Sequence, residues 1–92
     1  MEQLKYKVNW KPLEELARKR PDSINCEEFM YMGTLERVDM ETGEIWEIHQ
    51  YKNITTRKYL NLDEGGEFYT YRPELKTYRG TSEALALEWI TQ

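Results

Sequence analysis

Apolar positions change period twice along the chain. Pro12 suits the first turn of a helix, and Leu13, Leu16 and Ala17 follow at helical spacing, so a first helix is expected to begin near residue 12. Arg18, Lys19 and Arg20 crowd its last turn, where cations oppose the negative helix end, and Pro21, Asp22 and Ser23 close it. From Phe29 the period is that of a strand. Over 29–38, Phe29, Tyr31 and Leu35 alternate against Met30, Met32 and Thr34, Gly33 marks a bulge or close approach, and either face could point inward. The run from Asp39 to Glu44 has hairpin composition, with Gly43 available for a positive φ. The return strand runs from Ile45 to Tyr51, and Trp46 and Ile48 are expected to face the core.

A third strand is predicted from Thr56 to Asp63, with Leu60 and Leu62 on one side and Arg57, Tyr59 and Asn61 on the other. Glu64-Gly65-Gly66 sits between two strand patterns and reads as a second hairpin turn, not as a phosphate cradle, which needs a helix immediately after it. The fourth strand, Glu67 to Arg72, sets Phe68 against Tyr69 and Tyr71, and Pro73 ends it. A short edge strand is expected at Leu75 to Tyr78. The last element is a helix from Ser82 capped by Thr81, apolar enough to lie across the sheet with Leu85 and Trp89 as anchors. The fold class is therefore α+β: an antiparallel meander of four to five strands, order α-β-β-β-β-(β)-α, with both helices on one face.

The 92 residues suit a single domain spanning 1–92, and 39% apolar content with three Trp and seven Tyr provides burial area for one core. No apolar stretch reaches membrane-spanning length and the first residues lack a hydrophobic signal core, so the expected location is cytoplasmic, away from membranes. The lone Cys26 cannot form an internal disulfide and reads as a small buried hydrophobe. Catalytic equipment is sparse: one His, one Cys and no local motif. Glu47 and His49, two apart on one strand, read as part of a polar outer face. No enzyme activity, catalytic residue, metal site or cofactor is expected.

Charge is uneven. Between Glu27 and Tyr51 there are seven carboxylates and one cation, Arg37, within a chain of net charge -4. Glu36, Asp39, Glu41, Glu44 and Glu47 cluster around one hairpin. Such charges ordinarily keep an edge strand from pairing with its neighbours, and they also form a surface suited to a protein partner with a basic face. The expected function is a non-enzymatic protein-binding module, an inhibitor or accessory factor of the kind phages and mobile elements encode. The alternative is single-stranded nucleic-acid binding through Arg57, Lys58, Tyr59, Tyr69, Tyr71 and Arg72. From Lys52 to Arg79, six cations against four anions leave little net attraction for a polyanion. An edge strand could also pair two copies into a homodimer.

Overall fold

A computed structural model describes residues 2–5, 8–38 and 41–92. Six strands form one antiparallel sheet in sequence order: β1 (Glu2–Lys5), β2 (Phe29–Val38), β3 (Ile45–Asn53), β4 (Tyr59–Leu62), β5 (Phe68–Arg72) and β6 (Thr77–Thr81). Helix α1 (Lys11–Lys19) and a 3-10 turn at Cys26–Glu28 separate β1 from β2, and α2 (Glu83–Thr91) ends the chain. The meander β2 to β6 between two helices is the expected α+β arrangement. Strand β1, on the outer side of β2 with Leu4 opposite Leu35, is an addition. Four residues give too short a pattern for periodicity to reveal it. Among the described residues no helix is long and apolar enough to cross a membrane.

The core lies between the helices and one sheet face. Leu13 and Leu16 from α1, Tyr51 from β3, Leu60 and Leu62 from β4, Phe68 from β5, and Ala86 and Ile90 from α2 form one buried cluster with Ile24 and Phe29. Cross-strand register carries this face from strand to strand: Tyr31 opposes Tyr51, Tyr51 opposes Leu60, and Leu62 opposes Phe68. Gly33 fulfils its role as a bulge. The register shifts between Tyr31 and Gly33, so beyond it Thr34 turns inward and Leu35 turns to the opposite face.

Several local expectations change. Trp46 is exposed and Ile48 is buried, whereas His49 and Tyr51 on the other side of β3 are fully buried, so the centre of this strand is covered on both faces. The third strand begins at Tyr59 rather than Thr56, because Asn53 organises a turn: its Oδ1 accepts from the backbone N–H groups of Thr55 and Thr56, each at 2.9 Å. Residues 73–76 are a turn, which moves the last strand to Thr77–Thr81. Ser82, not Thr81, caps α2 by accepting from the Leu85 N–H at 3.2 Å.

That cap fixes the rotation of α2. The helix packs on β4 and β5 through Ala86 and Ile90, one turn apart, while Leu85 is 61% exposed and Trp89 47% exposed. Its ends are tied down separately. Arg20 Nε donates to Glu83 Oε2 at 2.6 Å, joining the end of α1 to the start of α2, and Thr56 Oγ1 donates to the Ile90 carbonyl at 2.7 Å. Ile90→Ala is expected to cost about 2–5 kcal/mol, whereas Leu85→Ala should cost less than about 0.5 kcal/mol. Urea unfolding of the two variants checks the helix rotation, and equal losses would contradict it.

Candidate functional site

Two surfaces carry the residues singled out by the sequence, and a buried polar network centres on His49 of β3. His49 is fully buried, not part of an outer face. Its Nδ1 lies 2.9 Å from Thr34 Oγ1, and Tyr31 Oη reaches both groups. On the other side, Asn9 Nδ2 lies 3.5 Å from Nε2. Asn9 Oδ1 accepts from the Lys11 N–H at 3.0 Å, which orients its amide with Nδ2 toward the His49 ring. The Asn9 carbonyl in turn accepts from the Tyr51 hydroxyl at 2.6 Å. One residue thus anchors the start of α1 to two side chains of β3.

Glu47, His49 and Glu64 present one ligand atom each within 4.8 Å of one another, the described set with metal-ligand geometry. The contacts of His49 with Thr34, Tyr31 and Asn9 account for its position without an ion. Cys26 packs against the core, and its thiol pKa is raised by burial and by the nearby Glu14 carboxylate. A raised pKa disfavours the thiolate that nucleophilic chemistry requires.

The first surface is the acidic hairpin. The β2–β3 pairing extends from Phe29 opposite Asn53 to Val38 opposite Ile45, but β4 pairs only with His49 to Lys52 of β3. Residues 45–48 therefore run past the end of β4. Gly43 adopts φ +76 and Thr42 Oγ1 accepts from the Glu44 N–H at 3.2 Å, which order the turn. Glu41 and Glu44 are exposed at that turn, and half-buried Glu36 and Glu47 oppose each other across the two strands. Asp39 lies outside the described residues. Ile45 is 59% exposed and Trp46 39% exposed; with Glu47, Asp63, Glu64 and Gly65 they line a notch of about 210 Å³ between the hairpin and the β4–β5 turn. Glu64 and Asp63 thus extend the acidic surface beyond the hairpin. Asp63 is also structural, accepting from the Glu67 N–H at 2.9 Å and from the Tyr69 hydroxyl at 2.8 Å.

The second surface is a groove of about 400 Å³ where β4 and β5 part. Their ladder has two pairs, Asn61 with Tyr69 and Leu62 with Phe68. Beyond it, Tyr59 and Tyr71 stand on opposite sides, with Trp89 of α2 also in the lining. Arg57 and Lys58 supply the charge, and no carboxylate lines this groove among the described residues. Arg57 is held at φ +66, a left-handed conformation stabilised by its N–H bond to the Asn53 carbonyl at 2.9 Å. Lys58 Nζ sits 3.7 Å from the Trp89 ring centre.

Four of the six residues of the nucleic-acid alternative meet here. The other two do not join: Tyr69 shares the sheet face but donates to Asp63, and Arg72 is paired through its Nε with Glu74 at 2.6 Å. That pairing lowers the Glu74 carboxyl pKa, second to the backbone hydrogen bond that contributes most. Sequence reasoning missed Gln50, Asn61, Thr70, Tyr78 and Trp89 as groove residues. A polar Asn61 between Leu60 and Leu62 was an available signal. Gln50 Nε2 donates to Tyr78 Oη at 2.6 Å, joining β3 to β6 across three strand spacings, or about 14 Å. Such a bond requires both side chains to lean over β4 and β5, and it forms one wall of the groove. No family model matches the chain, and comparison with curated proteins and with solved structures finds no match either.

The packing around Asn9 generates a pH prediction. Burial pushes the Tyr51 phenol far above its ordinary range, and Tyr31 adds to the shift. The unfolded phenol ionises near about pH 10 while the folded one keeps its proton, so this contribution is intact below pH 10 and declines as pH rises beyond it. Tyr51→Phe should lose about 1–2 kcal/mol at neutral pH through the missing bond to Asn9, yet show a shallower decline above about pH 10. Unfolding curves at neutral and alkaline pH check both signs.

Proposed function

We propose that this protein is a non-enzymatic binding module whose acidic hairpin docks onto a basic protein partner. The observation that carries this reading is the exposed pair Ile45 and Trp46 beside carboxylates from two separate elements, Glu47 on β3 and Glu64 on the β4–β5 turn. Apolar anchors beside a cluster of carboxylates are the anatomy of an interface centre with a polar rim. The occupant is a lysine- or arginine-bearing segment. Its aliphatic stems cover Ile45, its cationic heads approach Trp46 and the carboxylates, and complementary charge speeds encounter more than it deepens affinity. Glu36, Glu41 and Glu44 extend the same negative field along the hairpin, and Asp39 adds charge from the sequence between them.

A module of this kind works by occupying a basic surface on a larger assembly, as an inhibitor or accessory factor, within a cytoplasmic setting. The β2–β3 pairing supports the role, because a preformed strand pair loses less entropy on docking than a disordered tail.

An amphipathic peptide of alternating lysine and leucine is expected to shift the Trp46 indole resonance at about 50 mM salt and to release as salt rises toward about 0.5 M. Replacing Glu41, Glu44 and Glu47 together by Gln should slow association about tenfold, while Trp46→Ala should mainly speed dissociation. Unchanged association of the triple variant at low salt would remove the hairpin from this role.

A further inference from the structure

We infer that the groove between β4 and β5 is a site for a nucleotide with an amino-bearing base, separate from the acidic hairpin. The first observation is Asn61. It lies on the groove lining at the apex where the strands part, is 5% exposed, and its Nδ2 is committed to the Tyr69 carbonyl at 3.1 Å. Its Oδ1 is buried without a hydrogen-bond partner. A shielded acceptor of this kind is costly to leave unmet, and only an N–H or O–H donor can satisfy it.

The second observation is the arrangement around it. Tyr59, Tyr71 and Trp89 all line the groove; Lys58 Nζ sits over the Trp89 ring, Lys52 Nζ lies 5.7 Å from the Tyr59 ring centre, and the Tyr71 ring packs edge-on against Tyr78. Arg57 and Lys58 stand among the lining residues, and no carboxylate lines the groove among the described residues. A planar ring, an amino donor and an anionic group are therefore all recognised in one place. A nucleotide presents those three features together, whereas a neutral sugar stacks on aromatic rings but leaves the cations unused. The volume of about 400 Å³ suits one nucleotide. The net charge of -4 disfavours a long polyanion, so recognition rests on one base and its phosphate rather than on an extended backbone track.

The backbone at Arg57 makes a clean variant available. Glycine adopts φ +66 without strain, so Arg57→Gly removes the cation while the turn is retained or stabilised. Tyr71 is 46% exposed, and its truncation leaves the core cluster intact.

Titration of the full chain with adenosine 5′-monophosphate at about 50 mM salt, followed by tryptophan fluorescence and by the Asn61 side-chain amide resonance, tests the assignment. Both signals should respond, Arg57→Gly and Tyr71→Ala should each weaken binding about tenfold, and the N6,N6-dimethyl analogue, which lacks the donor, should bind about tenfold more weakly or worse. A parallel titration with single-stranded oligoadenylate separates the two sources of the ligand. Equal affinities assign a free nucleotide, and an oligoadenylate affinity greater by about tenfold assigns a nucleotide within a strand. Absence of binding by both probes up to about 5 mM nucleotide overturns the site, as does binding that neither variant nor the dimethyl analogue weakens. The glutamine substitutions on the acidic hairpin leave this titration unchanged, so the outcome is independent of protein docking.

Discussion

The direction of Tyr51 governs the rest of the structure. This side chain is fully buried at the centre of β3, packs its ring 5.7 Å from Trp10 and 5.6 Å from Tyr31, and donates its hydroxyl to the Asn9 carbonyl. Because alternate residues on a strand face opposite ways, an inward Tyr51 sends Gln50 and Lys52 outward. Register then passes the choice along the sheet. Leu60 and Leu62 follow Tyr51 to the helices, and Asn61, Tyr59, Tyr69 and Tyr71 are left on the other face. A slip of one residue would bury the tyrosines and expose the leucines, so the groove is a direct consequence of how the core is packed.

Two departures from a regular sheet create the two surfaces. The short β4 leaves the outer part of the β2–β3 hairpin extending past it, with Ile45 and Trp46 at the solvent boundary among carboxylates. The short β4–β5 ladder opens a groove beside cations instead. Charge of opposite sign is therefore sorted by structure as well as by sequence position. The acidic notch and the cationic aromatic groove share no lining residue.

The order of elements was legible because it rests on strong local signals: the period change at Phe29, Gly43 and Gly66 at positive-φ turn positions, and alternation through Leu60, Leu62 and Phe68. Side-chain direction was less legible where residues on both sides of a strand are large. Trp46 and Ile48 looked inward by hydrophobicity, but Tyr31, Thr34 and Asn9 contact the His49 ring while Tyr51 donates to the Asn9 carbonyl, and these buried contacts hold the opposite face of β3 toward the helices. Likewise α2 had too many apolar residues for pattern alone to choose a stripe, and the Ser82 cap with the Arg20–Glu83 pair selected Ala86 and Ile90. Of the candidate site, the acidic residues and half of the groove were visible as composition. The rest depends on contacts between distant strands, such as Gln50 with Tyr78, for which linear spacing carries no signal.

Residue-resolved tyrosine nitration of the native protein tests the face assignment most directly. The account predicts rapid modification of exposed Tyr59 and Tyr71 and resistance of Tyr51 until the chain unfolds. Modification of Tyr51 at the rate of Tyr71 under native conditions would contradict it, since the inward register and the groove that follows from it would both be wrong.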